Sequence, residues 1–311
     1  MKGFDTPILF MIFNRPDTTR LVFEEISRVR PTKLFIAADG PRQDKPDDVE
    51  NCRLTREIVS KIDWPCEVKT LFRDKNLGCR NAPSSAITWF FEHVPEGIIL
   101  EDDCVPDPTF FRFCTEQLER YRDDQQVMMI TGDDFLQDDL RLRSGTSYYF
   151  SAIPFIWGWA TWKRTWAKYD IEMTRWPEVR DSQTIKNWLD NRAAYEYWER
   201  LWNIYHGGVQ KTWDWPWAFA IMLNRGLCII PSTNLVTNIG FGPEATHTKD
   251  AGNSLSNMSR RSLDFPLVHP PLIAPDKKTD LRMFHRAFGI NSTYLQKIKA
   301  LPKRIARRLF K

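Results

Sequence analysis

Glycine-rich phosphate loops are missing from this 311-residue chain. No Gly-x-Gly-x-x-Gly and no Gly-x-x-x-x-Gly-Lys-Ser/Thr run follows any of its apolar segments, which argues against a dinucleotide-dependent oxidoreductase and a phosphate-loop ATPase. The six cysteines, at 52, 66, 79, 104, 114 and 228, form no Cys-x-x-Cys pair and no metal-finger spacing. Free thiols are therefore expected. No apolar run approaches the length of a membrane span, and Met1-Lys2-Gly3-Phe4-Asp5 lacks the apolar core of a signal peptide. The expectation is a cytoplasmic protein. Basic residues are not spread over the chain. Residues 297–311 hold seven Lys or Arg and no acid within a net charge of +4, so the rest is mildly acidic. A nucleic-acid binder would place its cations on a folded face, and no nucleic-acid partner is expected.

What the chain does have is a repeated alternation of short apolar runs and amphipathic segments. Ile8 to Phe13 ends in Asn14-Arg15-Pro16-Asp17, and helical spacing of Leu21, Val22, Glu25, Ile26 and Val29 follows, with Asp17 or Thr18 as the expected cap. Lys33 to Ala38 leads to Asp39-Gly40-Pro41-Arg42 and a helix over 48–60. Cys66 to Phe72 leads to Arg73-Asp74-Lys75-Asn76-Leu77-Gly78 and a helix over 83–93. Ile98 to Leu100 delivers Glu101, Asp102 and Asp103. Four strands separated by helices predict an α/β fold with a mostly parallel sheet, whose polar strand ends are where open sheets bind ligands. Strand alternation puts Glu101 and Asp103 on one side and Asp102 on the other. Carboxylates so crowded call for a counter-charge, and a hard divalent cation is the usual one.

Further strands are expected at 127–130, before Asp133 and Asp134, and at 227–230. Eleven of the 13 tryptophans fall between Trp157 and Trp217, a density that suggests platforms for pyranose rings besides core packing. Phe155 to Trp162 reads as a buried turn entering a helix, and 176–205 as one or two polar helices. Trp213-Asp214-Trp215-Pro216-Trp217 isolates one carboxylate at a helix start. It is either a cap or a proton acceptor.

In this order, Ile12-Phe13-Asn14-Arg15-Pro16, Ala38-Asp39-Gly40, Arg73 to Gly78, Glu101-Asp102-Asp103, Gly158-Trp159 and Trp213-Asp214 resemble a nucleotide-sugar glycosyltransferase of the GT-A fold. The resemblance covers about residues 7–248, and is nearest in character to the inverting N-acetylglucosaminyltransferases of N-glycan branching and to bacterial surface-polysaccharide transferases. It implies a Rossmann-like sheet with a nucleotide-binding half (1–125) and a Trp-rich acceptor-side half (126–248). It also implies that Asp103 ligates Mn²⁺ or Mg²⁺ with His247 closing over it, and that Glu101 faces the ribose while Asp102 steadies the motif. Asp39 would read the base, usually uracil. Asn14, Arg15, Arg73, Asn76 and Gly78 would line the nucleotide, and Asp214 would be the general base. Glu101-Asp102-Asp103 departs from the plain Asp-x-Asp pattern of such enzymes. The donor would be a UDP-sugar and the acceptor a glycan or lipid-linked hydroxyl. Sugar-nucleotide pyrophosphorolysis, a non-catalytic carbohydrate- or membrane-binding role, and hydrolysis through Asp133 or Asp134 are the alternatives.

Residues 249–293 read as an irregular segment or lid. Beyond them, Ile298, Leu301, Ile305 and Leu309 recur at three and four among the basic residues of a tail over 294–311. Residues 295–311 are expected to lie on an anionic membrane surface, placing the protein peripherally on the cytoplasmic face of an inner membrane.

Overall fold

The computed structural model describes residues 3–136, 145–241 and 255–288. His247 and the basic tail lie outside them. Ten strands and ten helices are described. Their order is β1 (Ile8–Ile12), α1 (Pro16–Val29), β2 (Lys33–Ala38), α2 (Asp47–Val59), β3 (Glu67–Phe72), α3 (Gly78–His93), β4 (Glu96–Glu101), β5 (Cys104–Pro106), α4 (Pro108–Arg120) and β6 (Val127–Thr131). β7 (Tyr148–Ser151), β8 (Trp159–Trp162), α5 (Lys163–Trp166), α6 (Trp176–Val179), α7 (Thr184–Leu189), α8 (Arg192–His206), α9 (Asp214–Leu223), β9 (Leu227–Pro231), β10 (Val236–Asn238) and α10 (Lys277–Phe288) follow. No helix among the described residues is long and apolar enough to cross a membrane.

Eight strands form one sheet in the order β3-β2-β1-β4-β8-β6-β9-β7. β1 pairs in parallel with both β2 and β4, so the chain moves outward through β2 and β3 and returns to β1's other side. That reversal opens a crevice at the carboxyl ends of β1 and β4, the place where α/β sheets receive ligands. The sheet is mixed rather than mostly parallel in its second half, because β8 runs against β4 and β6, and β7 against β9.

Buried strands explain the continuous apolar runs. Ile8, Phe10 and Ile12 of β1 and Ile98 and Leu100 of β4 join Val22, Phe23 and Ile26 of α1 and Phe110 to Cys114 of α4 on one face. Leu9, Met11 and Ile99 meet Ile87, Phe90 and Phe91 of α3 and Trp217, Ala220 and Ile221 of α9 on the other. A separate aromatic core gathers α6, α7, α8 and α10 around Ala218, Phe219 and Met222 of α9. α9 is thus a wall shared by two cores.

Several local expectations are corrected. Trp159–Trp162 is a strand, not a turn, and β7 and β10 were not foreseen. α1 begins at Pro16 with Arg15 before it and no side-chain cap, since proline's fixed φ suits the first helical position. α3 starts at Gly78, five residues earlier than expected, and carries Pro83 inside its first turns. The 176–205 stretch holds three helices. Of the eleven clustered tryptophans, only Trp157, Trp188 and Trp215 are partly exposed; the rest are buried, so the cluster is mainly core rather than sugar platform. Part of the segment expected to be irregular, 277–288, is a helix docked on β7 through Asp276 N–H, which donates to Phe150 O at 2.8 Å.

Candidate active site

β4 ends at Glu101, and Asp102 and Asp103 form a turn before β5, so strand alternation no longer decides where those two point. Asp102 turns inward. Its carboxylate accepts the Phe13 N–H at 3.2 Å and the Arg15 guanidinium. The same Arg15 Nη2 lies 3.0 Å from Asp103 Oδ2. Burial pulls the guanidinium's pKa down, but Asp102 and Asp103 more than offset it and Arg15 stays charged. Glu101 is pushed well up by burial, then by Asp103 and Asp102. It therefore favours its neutral form.

β10 closes the turn. It pairs antiparallel with β5, and Ile239 N–H donates to Asp103 O at 2.9 Å. Gly240 follows so closely that any side chain there would overlap the Asp103 carboxylate. Cys104 Sγ donates to Asp103 Oδ1 at 3.3 Å.

At the end of β2, Asp39 accepts N–H groups from Gly40 at 2.9 Å, Leu77 at 3.0 Å and Gly78 at 3.2 Å, and the Asn76 amide at 2.9 Å. Its pKa is raised by burial, with those backbone donors pulling the other way. The carboxylate clasps the loop after β2 to the loop before α3, and at Gly40 a Cβ would collide with the Lys75 backbone. Arg56 Nη2 holds the same two loops from behind, on Arg73 O at 2.6 Å and Asp39 O at 3.2 Å. Arg73 itself reaches Ser85 Oγ at 2.7 Å, and its charge acts on Asp39. Asn14 Nδ2 donates to Asp48 Oδ1 at 2.6 Å, and Arg42 pairs with Asp48 from Nε at 2.6 Å and from Nη2 at 2.9 Å. The Asp48 carboxyl is held down to about 2, chiefly by Arg42.

Asp214 opens α9 on the face that Ile99 and α3 share. Thr212 Oγ1 hydrogen-bonds to its carboxylate. Its charge reaches Cys79, Glu101 and Tyr169, adding to the burial that raises Cys79 and Tyr169 and to the burial and Asp103 charge that raise Glu101. Cys79 Sγ donates to Lys211 O at 3.2 Å, tying the start of α3 to the approach of α9. Beneath lie stacked rings, with Trp213 on Trp159 at 5.7 Å and Trp166 on Tyr169 at 4.2 Å.

The structure thus brings Asn14, Arg15, Asp39, Arg73, Asn76, Gly78 and the three acids to one sheet edge, with Asp214 electrostatically coupled to it. Sequence reasoning missed Arg42, Asp48, Arg56 and Thr212. Arg42 was findable as the first cation after the second strand end, whereas nothing in the sequence marks Asp48. Asp133 and Asp134 lie within the fold, and Asp133 Oδ1 is buried without a partner among the described residues. Both are buried, and Asp133 Oδ2 accepts Trp157 N–H at 3.0 Å and Thr131 Oγ1 at 3.1 Å.

The described residues, which do not include the expected ligand His247, do not fit the expected cation. Among the described residues no three His, Cys, Asp or Glu side chains converge as metal donors, and each oxygen of Asp102 and Asp103 already meets a protein donor. Magnesium is usually held by only one or two carboxylates together with waters and substrate phosphates, so the misfit lies in Arg15 already occupying Asp102 and Asp103.

No family model and no curated protein matches this chain. Among solved structures, mouse xyloside xylosyltransferase 1 is similar at 11% identity and a TM-score of 0.33, over 70% of this chain and 81% of that one. A cytidylyltransferase from Leptospira borgpetersenii is similar at 12% identity and 0.32, over 57% and 67%. A UDP-glucose pyrophosphorylase is similar at 10% and 0.26, over 49% and 64%. Likenesses this partial leave the chemistry to the side chains.

Proposed function

We propose that the crevice at the ends of β1, β2 and β4 binds a nucleoside-diphosphate sugar and that the chain transfers the sugar to a hydroxyl acceptor. Arginines from three successive strand ends, Arg15, Arg42 and Arg73, suit a polyanion, since the guanidinium fork matches phosphate oxygens. Asp39, held by the N–H groups of Gly40, Leu77 and Gly78 and by the Asn76 amide, fixes the two loops that would frame a base. Both features serve any enzyme of nucleotide sugars.

Asp214 is the observation that supports transfer. A hydroxyl must lose a proton as it attacks the anomeric carbon, and one positioned carboxylate can take it. Thr212 orients that carboxylate and the buried indoles beneath it fix its backbone. A single base acting on an incoming hydroxyl gives inversion at the anomeric carbon. The second reading, pyrophosphorolysis of the same compounds, shares the arginines but has an anion as nucleophile. That anion carries no proton to remove, and the Asp214 charge would repel it. The proposed donor is a UDP-sugar, and the acceptor a glycan or lipid-linked hydroxyl.

Calorimetry of the full chain with UDP, GDP, dTDP and CMP tests the nucleotide edge. UDP should bind about tenfold or more tighter than the others. Binding of none removes the function. NMR of a UDP-sugar incubated with the protein then separates the reactions, since transfer releases UDP, whereas pyrophosphorolysis yields UTP only when pyrophosphate is added.

A further inference from the structure

Arg15 is the one cation that touches the carboxylates at the end of β4 among the described residues, and it does so from a fixed backbone. Pro16 starts α1 immediately after it, and Arg15 O accepts Thr19 N–H at 3.0 Å and Thr18 Oγ1 at 3.3 Å. The side chain therefore leaves a rigid strand-to-helix corner. Its Nη2 takes both Asp102 and Asp103. Among the described residues Nε and Nη1 have no protein partner, and the side chain is 28% exposed.

We propose that Arg15 is the resident counter-charge of the Asp102–Asp103 pair and stands where a divalent cation would otherwise sit, so that nucleotide binding needs no metal. Three observations carry this. The four carboxylate oxygens are already paired, with Phe13 N–H and Arg15 on Asp102, and Arg15 and Cys104 Sγ on Asp103. Gly240 and Ile239 of the β5–β10 ribbon crowd Asp103 from one side. A cation entering would have to displace a guanidinium that is itself partly buried, leaving that charge without its partners, which is a costly exchange. A guanidinium also offers directed donors that a bare ion lacks, and it never deprotonates.

The inference rests on the proposed function only in its nucleotide arm. In the metal arm, Mn²⁺ alone is added to the full chain and free Mn²⁺ is read by electron paramagnetic resonance. The wild type should leave the free signal undiminished. Arg15→Met, which keeps the stem and removes the charge, should gain a Mn²⁺ site at least about tenfold tighter than any wild-type binding. Arg15→Met combined with Asp103→Asn should lose it again. Arg15→Lys, which keeps a cation should Arg15→Met not fold, must continue to exclude Mn²⁺. Wild-type binding that Asp103→Asn abolishes overturns the proposal, as does a folded Arg15→Met chain with no gained site. In the nucleotide arm, UDP affinity should be equal within about twofold in EDTA and in Mn²⁺. A chain that binds no UDP yet follows the Mn²⁺ pattern would cost the function and leave this inference standing. UDP binding that vanishes in EDTA would do the reverse.

Discussion

Asp39 and Asp214 are both lone acids, one just after β2 and one opening α9, and their surroundings give them different work. Asp39 is saturated by three backbone N–H groups and one side-chain amide and holds two loops together; Asp214 takes a hydroxyl and projects its charge toward Glu101 and Cys79. Asp214→Asn keeps shape and hydrogen bonding while removing basicity. Transfer should fall about 10²- to 10⁴-fold, as for loss of a positioned base, with UDP affinity unchanged by calorimetry. Equal loss of both would make Asp214 structural. The strand end before Asp39 was legible because it is a run of apolar side chains, and Asp214 because it stands alone among tryptophans at a helix start. The bond from Arg15 to Asp102 was not, because its partners are 87 residues apart and meet only once β1 and β4 pair.

Among the elements, α10 has the sharpest dependence on conditions. Asp280 faces the sheet from this helix, where it accepts Ala152 N–H at 2.8 Å, and its other oxygen is buried without a partner. Burial raises its pKa to about 7. A carboxyl raised from its unfolded value favours folding fully below pH 3.8, and that contribution is lost as pH rises through about 7. Asp280→Asn removes the titration. Denaturant unfolding should show the wild type losing on the order of 2–4 kcal/mol relative to the variant between pH 4 and 8, since each tenfold difference in acidity between the folded and unfolded chain is worth about 1.4 kcal/mol. Parallel pH profiles would place the charge elsewhere. Elements with both faces covered, such as β1 and β4, read clearly as buried runs, whereas Trp159-Ala160-Thr161-Trp162 did not. A four-residue strand with indoles at both ends shows too little periodicity, and only pairing with β4 and β6 makes it one.

For the molecule as a whole, the shared wall α9 predicts a single cooperative unfolding. Trp202 sits in the aromatic core remote from the strand ends, fully buried, packed on Phe219 of α9 at 5.3 Å and donating to Trp215 O at 3.2 Å. Trp202→Ala should cost about 3–5 kcal/mol. Far-ultraviolet circular dichroism, dominated by the sheet and its helices, and near-ultraviolet signals from the aromatics should shift together. Separate transitions would mean that the cores are independent. The α/β plan was readable from the alternation of runs, because each strand had to be buried on two faces. The mixed second half was not, since antiparallel insertion of β8 is decided by contacts distant in sequence.

The ring pile under Asp214 also gives the protein an optical property. Trp213, Trp159, Trp217 and Trp166 lie in a chain of centroid separations between 5.0 and 5.7 Å, with Tyr169 against Trp166 at 4.2 Å. Light absorbed anywhere along that chain migrates between indoles, and one end of it adjoins the carboxylate on which the proposed chemistry turns. The protein therefore carries its own fluorophore array beside Asp214, where a ligand arriving at the proposed site should change the emission without any label.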